Sequence, residues 1–91
     1  MEWRLFATLA ETAGDDTVAV DIDGEATLRE AFDALIEAYP ALESEVLDED
    51  EQVYDHVRLL VDGDDPFREA GWEAVVDEDS ELALFPPVSG G

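Results

Sequence analysis

The strongest pattern in the chain runs from residue 27 to residue 40. Leu28, Ala31, Phe32, Leu35, Ile36 and Tyr39 fall at i, i+3, i+4, i+7, i+8 and i+11, which draws one apolar stripe along a helix. Thr27 stands before the stripe and Glu30 three residues later, the pairing of a capping box. Pro40 ends the helix, because its ring clashes with the preceding turn and it has no N–H to donate. Elsewhere the period is two. Trp3, Leu5 and Ala7 alternate with Arg4, Phe6 and Thr8, so residues 2–8 predict a strand. Residues 9–13 predict a short helical turn stopped by Gly14. Val18, Val20 and Ile22 alternate with Ala19 and Asp21 and predict a second strand, close enough to the first for a hairpin. Residues 57–61 predict a third strand ended by the turn Asp62-Gly63, and residues 81–85 the last.

The segments between these elements are less regular. Residues 41–56 read as irregular, with Leu42 and Val46 as apolar anchors. Pro66 follows Asp65 at a suitable first helical position, which predicts a short helix over 67–74 carrying Trp72. Val75-Val76 predicts a brief edge strand. One helix and a few strands bury their apolar sides against each other. The fold class is therefore α+β, with the helix covering one sheet face. The first and last strands are expected side by side in the sheet centre. Residues 1–85 form one domain, and 86–91 form a flexible tail.

Three large apolar residues fall out of phase with the core positions: Phe6, Leu60 and Phe85. Period-two geometry sends them to the opposite sheet face. They form an exposed partner patch unless residues 43–56 or the Trp72 segment cover that face.

Charge changes the picture. The 91 residues hold 26 acidic side chains against 4 arginines, a net charge of −22. Such a surface repels nucleic-acid phosphates and anionic lipid, which excludes both as partners. In molar salt the Debye length falls to about 3 Å, and dense like charge becomes tolerable. The acidity is thus read as adaptation to a salt-rich, halophilic cytoplasm. Asp21-Ile22-Asp23-Gly24 faintly resembles a calcium loop, but the closing Glu such a loop requires falls on Phe32. No metal site is expected. Residues 1–15 lack the basic and apolar regions of a signal peptide, no apolar run can span a bilayer, and a cytoplasmic location is expected.

Candidate chemistry is sparse. There is no cysteine and no lysine. His56 is the sole histidine, and the glycines at 14, 24, 63 and 71 are isolated. The chain has no self-contained active site and is not expected to be an enzyme. What remains is the segment Phe85-Pro86-Pro87-Val88-Ser89-Gly90-Gly91. Two prolines stiffen it, and the final glycines have no side chain and wide backbone freedom. Such a tip can thread into a narrow partner channel and offer its carboxylate to a reagent. Phe85 leads straight into it, so the patch and Pro86, Pro87 and Val88 can engage one partner together.

The opening Trp3-Arg4-Leu5-Phe6-Ala7, the helix from Thr27 and the block from Glu81 to Gly91 resemble the ubiquitin-like β-grasp sulfur carriers. These include the small subunit of molybdopterin synthase, the ThiS-like carriers and, most similar, the small archaeal modifiers. The resemblance implies a mixed four- to five-stranded sheet packed on one main helix. It implies that an E1-like partner adenylates the Gly91 carboxylate with ATP and magnesium, neither held by this chain. The Gly91 carboxylate is then converted to a thiocarboxylate or joined to a target lysine by an isopeptide bond, and the resemblance carries over Gly90 and Gly91 as the functional pair. Phe6, Leu60 and Phe85 match places where the family meets its activating enzyme or synthase partner. The chain is expected to act as a monomer. Two other readings stand beside this one: a dedicated small subunit of molybdopterin synthase, paired with its large subunit in molybdenum cofactor biosynthesis, and a noncovalent acidic binding module. The stretch from Pro66 to Trp72 is longer than the family's usual turn.

Overall fold

A computed structural model describes residues 1–22, 24–50, 52, 53 and 57–86. Six strands and three α-helices follow in the order β1 (Glu2–Leu5), α1 (Thr8–Ala13), β2 (Thr17–Ala19), β3 (Ala26–Thr27), α2 (Leu28–Ala38), α3 (Glu43–Val46), β4 (Arg58–Val61), β5 (Val75–Val76) and β6 (Leu82–Phe85). Three 3-10 turns, Pro40–Leu42, Pro66–Arg68 and Gly71–Glu73, fill the connections. The main sheet has four strands in the order β2-β1-β6-β4. Strands β1 and β6 are parallel, with Trp3 opposite Leu82 and Leu5 opposite Leu84. The pairs β1–β2 and β4–β6 are antiparallel. The first and last strands therefore occupy the sheet centre, as their expected adjacency requires.

Helix α2 covers one face. Thr27 Oγ1 accepts from the Glu30 backbone N–H, and the Glu30 carboxylate accepts from the Thr27 N–H, so the capping box is closed. Leu28, Ala31, Phe32 and Leu35 are buried. They meet Trp3, Leu5, Leu59, Leu82 and Leu84 from the sheet. Trp3 ties the two layers together: its ring lies edge-on to Phe32 at 6.2 Å, and its Nε1–H donates to the Ala31 carbonyl at 3.2 Å. No polar or charged side chain is buried among the described residues, so this core pays no desolvation penalty for charge.

Several boundaries differ from the sequence expectation. The first strand ends at Leu5 rather than running to residue 8. Ala7 takes φ 51° and turns the chain, and the Leu9 N–H donates back to Phe6 O to start α1. The second strand is ordered as a ladder only over Thr17–Ala19. Beyond it the Ile22 N–H turns back to Val20 O, a local bond that ends the alternation. The segment after Pro40 is more regular than expected: a 3-10 turn and α3 drive Leu42 and Val46 fully into the core. The helix expected over 67–74 is two 3-10 turns instead. Asp65 caps the first through a bond from the Phe67 N–H, and Glu69, with φ −133° and ψ −103°, breaks the path to a continuous helix. Val75-Val76 does form a strand, but in a separate two-stranded sheet with Ala26-Thr27. The segment from Ala26 to Thr27 is thus both strand and helix cap, a double role that periodicity does not reveal.

The turn at Asp62-Gly63 follows its expected chemistry. Both residues have positive φ, 53° and 84°, and Val61 and Asp64 exchange backbone hydrogen bonds across them. That is the primed turn that Asp-Gly favours. Asp62 also fastens the start of β6, its carboxylate accepting from the Glu81 N–H at 2.8 Å.

Candidate functional site

The sheet face opposite α2 carries the residues that fell out of phase. Along β6, Leu82 and Leu84 are buried while Ala83 and Phe85 remain partly exposed. Along β4, Leu59 is buried and Leu60 partly exposed. Phe6, just past β1, lies flat against Phe85, with ring centroids 4.2 Å apart and planes 10° from parallel. The structure thus brings Phe6 and Phe85 into direct contact. Leu60 belongs to the next strand and lines one shallow cavity with Phe85 and Pro86. The Trp72 segment does not cover the stack, for Trp72 packs on Phe32 and Phe67. Leu42 and Val46 likewise join the core.

The patch lies where the chain leaves the sheet. Strand β6 is paired on both sides, so its path is fixed by two ladders. Pro86 has no N–H to extend either ladder, and regular pairing stops at Phe85. The aromatic stack therefore stands one residue before Pro86. Residues 87–91, which include Pro87, Val88, Gly90 and Gly91, lie outside the described residues, as do Asp23 and His56.

Arginines, which an apolar periodicity does not mark, surround this patch. Arg4 is two residues before Phe6 and Arg58 two before Leu60, a spacing that places each on the same face as its apolar neighbour. The Arg4 guanidinium carbon stands 5.9 Å from the Phe6 ring centroid. Arg58 is the cross-strand partner of Phe85, and Arg68 lines the same cavity from the turn after Pro66. Alternation alone could have found Arg4 and Arg58. Arg68 reaches the patch only through the fold. Among the described residues no helix is long and apolar enough to cross a membrane.

Comparison with known proteins places this geometry. The model of the ThiS family matches residues 3–91. Small archaeal modifier protein 1 of Haloferax volcanii is 56% identical over 91 residues, covering all of both chains. Small archaeal modifier protein 3 of the same organism is 31% identical over 91 residues, with 100% of this chain and 98% of the relative covered. A crystal structure of SAMP1 from Haloferax volcanii superposes with a TM-score of 0.86 at 53% identity, covering 100% of this chain and 98% of that one. The mixed sheet, the single covering helix and the end-to-end match agree: this chain belongs to the ThiS family of ubiquitin-like β-grasp carriers, among the small archaeal modifiers.

Proposed function

We propose that the protein is a ubiquitin-like modifier and sulfur carrier whose reacting group is the Gly91 carboxylate. The observation that carries this reading is the Phe6–Phe85 stack at the point where β6 hands the chain to Pro86, in a sequence that ends Gly90-Gly91 and aligns end to end with a small archaeal modifier. The sheet supplies a rigid docking face. The tail supplies a slender segment that reaches a partner's active site. A carboxylate is inert toward nucleophiles, so it needs activation. Its oxygen attacks the α-phosphorus of ATP in an E1-like partner that holds magnesium. A carboxyl–phosphate bond forms, the α–β bridge breaks, and pyrophosphate leaves.

The acyl-adenylate then has AMP as leaving group. Attack on the Gly91 carbonyl by sulfur at the oxidation level of sulfide, brought by the partner, gives a thiocarboxylate. Attack by a target lysine amine gives an isopeptide bond, with the amine proton lost to solvent. In both cases this chain's own part is to dock, hold the tail in register and present Gly91 without a side chain in the way. The test is to incubate the purified protein with its E1-like enzyme, ATP and magnesium, and trap the product with hydroxylamine. The wild-type protein is expected to yield a Gly91 hydroxamate by intact-mass measurement. A variant lacking Gly90-Gly91 is expected to yield none. Absence of hydroxamate from the wild type, with a known relative active in parallel, would overturn the proposal.

A further inference from the structure

The protein carries 4 arginines against 26 acidic residues, and the fold gathers three of the four around one apolar patch. Arg4 lies over Phe6. Arg58 is paired across the ladder with Phe85. Arg58 and Arg68 line a cavity of about 430 Å³ whose apolar wall is Leu60, Phe85 and Pro86. All three arginines are exposed. Among the described residues the one salt bridge is Arg29 with Asp33, so none of the three is paired there. The fourth, Arg29, is the one paired among those residues; it stands over Trp72 and lines a neighbouring cavity that also reaches Arg58 and Leu60.

Asp64 and Asp65 line the cavity of Phe85 and Pro86 and offset part of its positive charge, but among the described residues neither forms a salt bridge with Arg58 or Arg68, and one Asp65 carboxylate oxygen accepts from the Phe67 N–H at 2.9 Å. Glu2 and Glu81 alternate onto the same sheet face at its other end, two residues before Arg4 and four before Phe85. The three arginines thus outnumber the two aspartates around Phe6, Leu60 and Phe85, while Glu2 stands at the start of β1 and Glu81 just before β6.

We infer that the patch docks a protein surface in which carboxylates surround an apolar centre, and that Arg4, Arg58 and Arg68 set the specificity of that contact. Arginine suits the role because its planar fork matches a carboxylate through two N–H donors, and its face can rest on an aromatic ring meanwhile. Arg4 over Phe6 already holds that second arrangement. Charge complementarity also settles what the occupant is not. A polyanion such as nucleic acid would meet three cations here and a net charge of −22 on the chain as a whole. In molar salt the Debye length is about 3 Å, so long-range repulsion between two acidic proteins vanishes while direct ion pairs at the contact persist.

The inference rests on the activation proposed above, with the E1-like enzyme as probe. The assay is ATP–pyrophosphate exchange by that enzyme as a function of this protein's concentration, in about 1 M KCl. R58E and the double variant A38E/S44E lower the net charge equally, but Ala38 and Ser44 are exposed on α2 and α3 and line neither cavity beside Arg58. R58E is expected to raise the half-saturating concentration about 10-fold or more, and the triple variant R4E/R58E/R68E about 100-fold or more. A38E/S44E should stay within about twofold, as for charges outside the contact. R58K, which keeps the charge and loses the fork, should fall between wild type and R58E. Far-UV circular dichroism confirms that each variant is folded. Equal half-saturation for R58E and A38E/S44E would overturn the inference while leaving the activation reading intact. A wild-type protein that drives no exchange would overturn the activation reading and this docking surface with it.

Discussion

Trp3 is the residue on which sheet and helix most directly depend, and Trp3→Phe measures that dependence. The side chain is fully buried in a central strand, and its indole N–H crosses the layer boundary to the Ala31 carbonyl at 3.2 Å. Phenylalanine keeps the aromatic contact with Phe32 but has no donor. Loss of that bond costs about 1 kcal/mol net. The smaller ring leaves a void of about 40 Å³, which at about 24 cal/mol per Å³ adds about 1 kcal/mol. The expected destabilisation is therefore about 2 kcal/mol, a large share of the roughly 5–15 kcal/mol that holds a domain of this kind. Urea titration at fixed molar KCl, followed by far-UV circular dichroism, reads the effect without varying ionic strength. With a slope of about 1–2 kcal/mol per molar, the midpoint should fall by about 1–2 M. Trp72→Phe serves as the comparison. Trp72 is only half-buried, and its indole donates no hydrogen bond to any of the described residues, so its midpoint should move less than half as far. A W3F midpoint within about 0.3 M of wild type, at unchanged slope, would refute the reasoning.

Three further outcomes follow from the same structure. Thr27→Ala opens the capping box of α2 and should cost about 1 kcal/mol in the same titration; a change below a few tenths would show that the β3–β5 pairing fixes the helix start without the cap. Phe6→Ala removes the half-exposed stack on Phe85 and should cost about 1 kcal/mol in stability, yet it should cut pyrophosphate exchange at low protein concentration about 10-fold or more; an unchanged exchange rate would separate the stack from docking. With a net charge of −22, the midpoint of thermal unfolding should rise on the order of 10 °C between dilute buffer and molar KCl; a flat response would contradict the reading of the acidity as salt adaptation.

The parts of this molecule legible in its sequence are those governed by a single periodicity. The α2 stripe, the capping box and the primed turn at Asp62-Gly63 each depend on residues a few positions apart, and each forms as expected. The out-of-phase residues Phe6, Leu60 and Phe85 were equally legible, because alternation fixes their face whatever the neighbours are. The misread parts depend on partners distant in sequence. Ala26-Thr27 becomes a strand only because Val75-Val76 lies beside it, and nothing within either dipeptide signals the other. The stretch from Pro66 to Trp72 has a good N-cap and a suitable proline, yet it turns as 3-10: Glu69 leaves the helical region, and Phe67 packs on Trp72, which packs on Phe32. Ala7 takes a left-handed φ that alanine seldom adopts, and only the join between β1 and α1 explains it. Of the arginines at the patch, Arg4 and Arg58 share a strand register with Phe6 and Leu60, whereas Arg68 arrives through tertiary structure alone.

The central claim is that Gly91 is the reacting group, and mass spectrometry on cells that make the protein tests it most directly. The intact protein is weighed, and a digest of the whole proteome is searched for lysines bearing a remnant of the Val88-Ser89-Gly90-Gly91 tail. Expected are tail-bearing lysines on other proteins, a fraction of free protein with sulfur in place of one terminal oxygen, and no remnant on this chain itself, which has no lysine to accept one. Sulfur substitution without modified lysines would favour a dedicated sulfur donor. Only unmodified Gly91, under conditions where a relative is conjugated, would contradict the account and leave a noncovalent binding module in its place.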